Sequence, residues 1–337
     1  MNINIRERFE KEEHELLSKY ATFADESKGR QYPEEESPMR TMFQRDRDRI
    51  IHSKSFRRLK HKTQVFLAPY GDHYRTRLTH TLEVSQIARS IAKAIRANED
   101  LTEAIALGHD LGHTPFGHAG ERALTKVSGR PFRHNEQSVR VVEKLENNGK
   151  GLNLTWEVRN GILCHKTSLE PATLEGDIVR MSDKIAYINH DIDDGIRAGI
   201  LQEKDLPQEL TNVLGHCTRD RLNNIILNIV ENSQDTPKVT MSEAVSSALF
   251  NLRQYMFEEL YTNQRAKGEE GKACDIIEML YKHYYENPQD MTKEYQDMLS
   301  EGESKETVVC DYISGMTDNY AVMKYSEYFI PQGWGMF

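Results

Sequence analysis

The sequence predicts an all-α chain, on three observations. Apolar residues recur at spacings of three and four over long stretches. No stretch sustains the period-2 alternation of β-branched residues that marks a half-buried strand. Glycine and proline fall between the apolar-periodic segments, where they stop helices and turn the chain.

Each helical segment is justified by its own pattern. From Arg77 to Ala97, Val84, Ile87, Ile91 and Ile95 form the stripe of a helix packed on a core. One turn back that stripe lands on His80. A second apolar helix, Leu101 to Leu107, leads directly into His109 and Asp110. Gly112, Pro115 and Gly117 then end it, which puts the His-Asp pair at a helix end. A third runs from Leu174 to about Ala198, with Ile178, Met181, Ile185, Ile188 and Ile192 on one side. Asp183, Tyr187 and Asp191 recur every four residues on another side, so a packed helix also carries a polar row. Gly149 to Gly151 and Asn232 to Pro237 read as loops, and Lys267–Lys272 and Asn287–Asp290 as exposed turns. The expected organisation is an N-terminal helical arm over 1–40, a core over 41–230 and a C-terminal helical region over 231–337 packed on it.

Composition narrows the class. The 337 residues are 38% hydrophobic and 29% charged, and mean hydropathy is -0.69, which suits a globular protein with a substantial core. No apolar run reaches the roughly 18 residues of a membrane span, and the charged start of the chain does not resemble a secretory signal. The expectation is a cytoplasmic protein with no membrane partner. Cys164, Cys217, Cys274 and Cys310 are far apart and form no C-x-x-C pair, which argues against thiolate metal chemistry and a disulfide framework. They read as small core residues.

The net charge of -9 disfavours polyanions for the molecule as a whole. One segment departs from that average. Between Arg40 and Lys62, nine Lys/Arg (Arg40, Arg45, Arg47, Arg49, Lys54, Arg57, Arg58, Lys60, Lys62) face only Asp46 and Asp48. The block reads either as a solvated helix face or as a patch for a compact anion such as a polyphosphate.

The histidines carry the chemistry. His73, His80, His109, His113, His118, His134 and His165 fall within about a quarter of the chain. Alone, each reads as an ordinary core or surface histidine. Together, His80, the His109-Asp110 pair and Asp183 supply two imidazoles and two carboxylates from three helices. Mixed nitrogen and oxygen donors suit one divalent transition metal per chain, Mn, Fe, Co, Ni or Zn.

The stretches RDRDRIIHSKSFRRLKHKTQVF, RTRLTHTLEVSQIAR, GHDLGHTPFGHAGE, RHNEQS, DKIAYINHDIDD and DYISGMTDNYA stand in this order along the chain. With the pattern His80, His109-Asp110, Asp183, they resemble the deoxyguanosinetriphosphate triphosphohydrolases of the HD-domain phosphohydrolase superfamily. The resemblance implies an HD-domain helical bundle with additional C-terminal helices and one metal centre. It also implies hydrolysis of deoxynucleoside triphosphates at the α-phosphorus, with Mg accompanying the substrate phosphates, and a homo-oligomer, a hexamer, as the working form.

Residue by residue, the resemblance makes His80, His109, Asp110 and Asp183 the metal ligands. It gives His118 a catalytic role near the α-phosphate, oriented by Glu121. His134 and His113 line the same cavity, and Gly117 lets backbone approach the ligand. Arg77 and Lys184 match phosphate contacts, and Gln64, Tyr187 and Asp191 match residues that crowd the deoxyribose and bind its 3'-hydroxyl. Read without the resemblance, Gly117 is equally a turn glycine, Tyr187 a core residue, and Arg77 and Lys184 exposed helix cations.

Two other classes compete. One is another HD-type hydrolase, a 5'-nucleotidase or a signalling-nucleotide hydrolase. The other is a nucleotide-sensing or single-stranded nucleic-acid-binding protein without turnover, using the 40–62 block on phosphate backbones. That block holds only Phe43 and Phe56 for stacking, so weak single-stranded nucleic-acid binding ranks below catalysis.

Overall fold

The computed structural model describes residues 4–64, 75–261 and 264–331. His73 and the Val65-Phe66 end of the first motif block lie outside the described residues. Among the described residues the chain is all-α, with no strand and only two isolated β-bridges, Arg30 with Thr155 and Thr63 with Thr76. The helices are α1 (Ile5–Leu16), α2 (Met42–His52), α3 (Lys54–Arg58), α4 (Arg77–Ala94), α5 (Glu99–Gly108), α6 (Gly117–Ser128), α7 (His134–Arg140) and α8 (Trp156–Cys164). They continue with α9 (Leu174–Arg197), α10 (Gln208–Leu214), α11 (Thr218–Ser233), α12 (Glu243–Met256), α13 (Gln264–Glu286), α14 (Lys293–Ser300), α15 (Lys305–Ser314) and α16 (Asp318–Phe329).

Local chemistry sets the starts of the helices that matter for the site. Thr76 and Thr79 form a reciprocal cap on α4, Asn98 caps α5 and Thr173 caps α9, each satisfying an amide that has no partner within its helix. The predicted stripe of α4 is buried, as are Ile178, Ile185, Ile188 and Ile192 of α9, and the two helices pack along each other. Helix α5 packs against both and against α8.

Apolar side chains divide into two clusters. The first joins α2, α4, α5, α8, α9, α11 and α12. The second is built from Phe116 and α6 together with α13, α14, α15 and α16. Helix α12 lies beyond residue 230 yet packs into the first cluster, and α6 lies before it yet packs into the second. The N-terminal arm is held by Glu175, which accepts from the Thr22 amide at 3.0 Å and the Asn98 amide at 2.9 Å, and by Arg30, which pairs with buried Asp46.

Three sequence expectations need correction. Lys267–Lys272 is not a turn but lies within α13, because Ala273, Ile277, Leu280, Tyr281 and Tyr284 bury one side of that helix and outweigh the helix cost of the glycines. Of the four cysteines, all free, only Cys164 is buried. The basic block does not form a phosphate patch facing the histidines. Arg40 pairs with Asp48, Arg45 and Arg49 with Glu34, and Arg47 with Asp100, while Arg57 and Arg58 bond to His52 and Ser55 nearby. Lys54 and Lys60 are exposed, and Lys62 is buried. Its ammonium donates to the carbonyls of His113 and, at 2.7 Å, Ser314.

The turn after the His-Asp pair is close-packed. A Cβ on Gly112 would sit 2.2 Å from the Ser138 amide nitrogen and 2.4 Å from the Gln137 carbonyl carbon, so backbone would have to move. We expect Gly112→Ala to cost about 1–3 kcal/mol. Gly271→Ala, in a helix with open space at the Cβ position, should gain up to about 1 kcal/mol. Urea midpoints compare them, and equal midpoints would refute the packing argument.

Candidate active site

The buried side of α4 carries His80, the end of α5 carries His109 at its cap and Asp110 just beyond, and α9 carries Asp183. His80 Nε2 lies 3.1 Å from Asp183 Oδ1 and 4.0 Å from Asp110 Oδ2. His109 Nε2 lies 3.6 Å from Asp110 Oδ1 and 3.8 Å from Asp183 Oδ1. Donors bound to one ion at about 2.1 Å are separated by roughly 3–3.5 Å, so this cluster is close to the spacing a metal requires. His109 Nδ1 is 2.6 Å from the Ala106 carbonyl and must donate to it, which leaves the Nε2 lone pair facing the cluster. That atom is buried with no hydrogen-bond partner among the described residues. An orphaned lone pair beside two carboxylates fits a cation.

The electrostatics agree. Burial alone would raise the Asp183 carboxyl, but the hydrogen bond with His80 and the neighbouring His109 outweigh it and hold the group well below the usual carboxylate range. For Asp110, burial is likewise outweighed, by His109, Arg77 and His113. Both carboxylates are therefore ionised and able to act as ligands.

Beside this cluster lies a second set of histidines. His118, exposed at the start of α6, is 2.9 Å through Nδ1 from Glu121 Oε2. Glu121 also accepts from the His134 amide at 2.7 Å and is 3.1 Å from His134 Nδ1. Burial would raise Glu121, yet its hydrogen bonds with His118 and His134 hold it far below its ordinary value. His113 stacks on His134 with ring centres 4.1 Å apart. His165, to which the sequence reading gave no role, sits 3.1 Å from His134 Nε2 and donates through Nδ1 to the Ile162 carbonyl. Burial, with His109 and His134 nearby, lowers His165 to about 4.

These groups line a cleft of two lobes. The smaller, about 320 Å³, holds His80, Asp110, His118, Asp183, Lys184 and Arg77 among its walls. The larger, about 1010 Å³, is walled by Phe116, Phe250, Met256 and Phe257 with Arg122 and Gln254. Gln64, His118, Tyr187, Ile188 and Arg253 line both. Gln64 Oε1 and Asp191 Oδ1 are buried without a partner among the described residues. Burial and the nearby Asp194 raise the Asp191 carboxyl, and burial raises the Tyr187 hydroxyl.

Several sequence expectations change in detail. Arg77 is not an exposed cation. It is buried, and Nη1 donates to Asp110 Oδ2 at 2.7 Å. Gly117 has φ +56°, a conformation that favours glycine, and a Cβ there would also press to 3.2 Å from Arg77 Nη2. Sequence reasoning missed Arg253, because its helix reaches the cleft from 60 residues beyond the last motif on α9. Only its place on the turn of α12 between Phe250 and Phe257 hints at it.

Residues 77–188 match the HD domain, and 239–327 match the phosphohydrolase-associated domain. The class defined by fold and site is thus the HD-domain phosphohydrolases. A phosphohydrolase from Bacteroides thetaiotaomicron shares the fold, with TM-score 0.53 at 14% identity over 83% of this chain and 68% of that one. A deoxyguanosinetriphosphate triphosphohydrolase-like protein from Caldanaerobacter subterraneus subsp. tengcongensis is 56% identical over 98% of both chains. One from Clostridium perfringens is 49% identical over 98% of this chain and 99% of the other. The chain belongs to the deoxyguanosinetriphosphate triphosphohydrolase-like family. No helix among the described residues is long and apolar enough to cross a membrane.

Two outcomes follow. Elemental analysis should find about one transition-metal ion per chain in the wild type and loss of it in Asp183→Ala. Equal content would remove Asp183 from the ligand set. Folding stability should also depend on His165. Above about pH 6.5 its ring is neutral in both states, and between there and about 4 the unfolded chain takes up a proton that the fold refuses. Stability therefore falls as pH is lowered across that window, by about 3 kcal/mol at most. His165→Asn should flatten the fall in urea midpoints, and an unchanged slope would assign it to other groups.

Proposed function

We propose that this chain hydrolyses deoxynucleoside triphosphates, dGTP or several dNTPs, to the deoxynucleoside and tripolyphosphate by attack of water at the α-phosphorus. The observation that carries the reading is the order of groups along one cleft. His80, Asp110 and Asp183 and the cations Lys184 and Arg253 line the smaller lobe, with His109 Nε2 3.6 Å from Asp110 Oδ1. The unpaired acceptors of Gln64 and Asp191 stand beside Tyr187 where the lobes meet, and aromatic walls follow in the larger lobe. Phosphates, sugar and base require this order. The names of the relatives support the substrate class.

His80, His109, Asp110 and Asp183 would hold the divalent ion. When bound, it supplies Lewis acidity that polarises an α-phosphate oxygen. Lys184 is half-buried and lowered by burial with Arg253 and Arg180 nearby, and it faces the negative charge of the triphosphate. Arg77, which lines the same lobe, balances Asp110 and keeps one buried Nε without a partner among the described residues. His118, exposed and held by Glu121, is the group placed to pass a proton to the departing 5'-oxygen. Glu121 joins His118 to His134, so one carboxylate orients two imidazoles on the same side of the phosphate.

Sugar selection follows from Tyr187. Its ring at the junction of the lobes leaves a ribose 2'-hydroxyl no partner, and a buried unpaired hydroxyl costs about 1–3 kcal/mol. The buried acceptors of Asp191 and Gln64 suit the 3'-hydroxyl instead.

The position of bond cleavage tests the reading. Turnover of dGTP in oxygen-18 water should put the label in intact tripolyphosphate and leave deoxyguanosine unlabelled, as read by mass spectrometry. Release of dGMP with pyrophosphate, or label in the nucleoside, would sink it. Binding that weakens steeply with salt, without turnover, would favour the nucleic-acid-binding alternative.

A further inference from the structure

We infer that His190 and Glu83 position His80 for the metal, by fixing which of its two ring nitrogens carries the proton. His80 Nδ1, on the side away from the His/Asp cluster, lies 3.1 Å from Nδ1 of His190, and the two rings meet nearly at right angles, 83°. His190 Nε2 lies 2.8 Å from Glu83 Oε2. Both histidines are buried. Glu83 is held in turn by Arg75, whose Nε is 3.1 Å away and whose Nη1 reaches Asp193 at 2.7 Å and Asp194 at 3.2 Å.

The direction of the chain follows from what each group can do. An ionised carboxylate only accepts, so His190 Nε2 carries a hydrogen and donates to Glu83. A neutral His190 then presents a lone pair at Nδ1, and His80 Nδ1 must donate to it. His80 is left with its Nε2 lone pair facing Asp110, Asp183 and His109, the form in which imidazole binds a metal. The network has an opponent. The Asp183 carboxylate, 3.1 Å from His80 Nε2, competes for the same ring proton. His109 needs no such relay, because its Nδ1 already donates to a backbone carbonyl.

The same two helices supply both halves. Glu83 is one turn beyond His80 on α4, and His190 is two turns beyond Asp183 on α9. Packing of α4 on α9 therefore brings His80, Asp183 and their support together in one step. His190 and Glu83 touch no part of the cleft and are positioning residues.

The inference rests on the metal reading of His80, His109, Asp110 and Asp183, and the experiment separates the two. The full-length chain and its variants are loaded with Mn²⁺ and titrated with a chelator, and retained Mn²⁺ is measured by atomic emission. His190→Ala should weaken Mn²⁺ retention about 10–100-fold. His190→Asn places an amide oxygen near the site of the ring Nδ1, able to accept from His80, and should lose only a few-fold. Glu83 is partly exposed, which makes Glu83→Ala a variant that spares the core. It should lose about 3- to 10-fold, below the range for removing a direct partner, and Glu83→Gln, which keeps an acceptor, should recover most of the loss.

A merely structural role would lower the melting temperature of His190→Ala and His190→Asn alike and leave Mn²⁺ affinity unchanged. Wild-type retention in His190→Ala, equal losses in His190→Asn and His190→Ala, or wild-type retention in Glu83→Ala would each overturn the positioning role while leaving the metal site intact. If the wild type itself holds Mn²⁺ no better than Asp183→Ala, the metal reading fails first, and this inference with it.

Discussion

The contact between α4 and α9 is the constraint on which the site depends. Each helix buries an apolar stripe in the same cluster, and each carries polar groups at the edge of that stripe. Apolar burial at roughly 25 cal/mol per Å² drives the stripes together, and the polar edge has no choice but to follow. His80 and Asp183, 103 residues apart, reach 3.1 Å in this way. Bringing imidazoles and carboxylates into a largely buried cluster is costly unless their charges are shared, as Arg77 shares with Asp110 and His80 with Asp183.

The loop that carries Asp110, His113 and Gly117 is fixed by a different device. Lys62 is buried between the carbonyls of His113 and Ser314, and burial with Arg58 nearby holds it well below its ordinary value. Asp318 accepts from the amides of Thr63 at 2.9 Å and Phe116 at 3.0 Å. Asp311 accepts from Gln137 at 2.8 Å and pairs with Arg140 at 2.7 Å. The DYISGMTDNYA block thus holds the loop through Asp318 on the Phe116 amide and through the Lys62 bridge, and holds the neighbouring α7 through Asp311. This explains why a segment 200 residues downstream of the His-Asp pair bears on the site although it adds no group to the cleft.

Charge shows how far a linear reading reaches. The Arg40–Lys62 block looks like an anion surface because the carboxylate partners of Arg45, Arg47 and Arg49, namely Glu34, Asp100 and Glu103, lie outside the window in sequence. Folding brings them in, and Arg45, Arg47 and Arg49 brace α2 while Lys54, Arg57 and Lys60 stay exposed. The cations that do reach the cleft, Arg77, Arg122, Lys166, Lys184 and Arg253, all lie outside the block. Net charge over a segment records composition, whereas the field at a cavity depends on which charges lack a partner there.

The all-α class, the three helices α4, α5 and α9, the grouping of His80, His109, Asp110 and Asp183 and the polar row Asp183, Tyr187, Asp191 were legible in the sequence by itself. Helical periodicity is local, and a residue three, four or seven positions from a buried one shares its face whatever the rest of the chain does. Motif blocks were legible for the same reason, since each is a continuous run. Only the tertiary structure decided that α6 belongs with the C-terminal helices, that Lys62 is buried while Lys60 is exposed, that Arg253 reaches the cleft and that His190 and Glu83 stand behind His80. Each of these depends on which surfaces meet across long separations in the chain, and burial and pairing there are settled by the packing of whole helices.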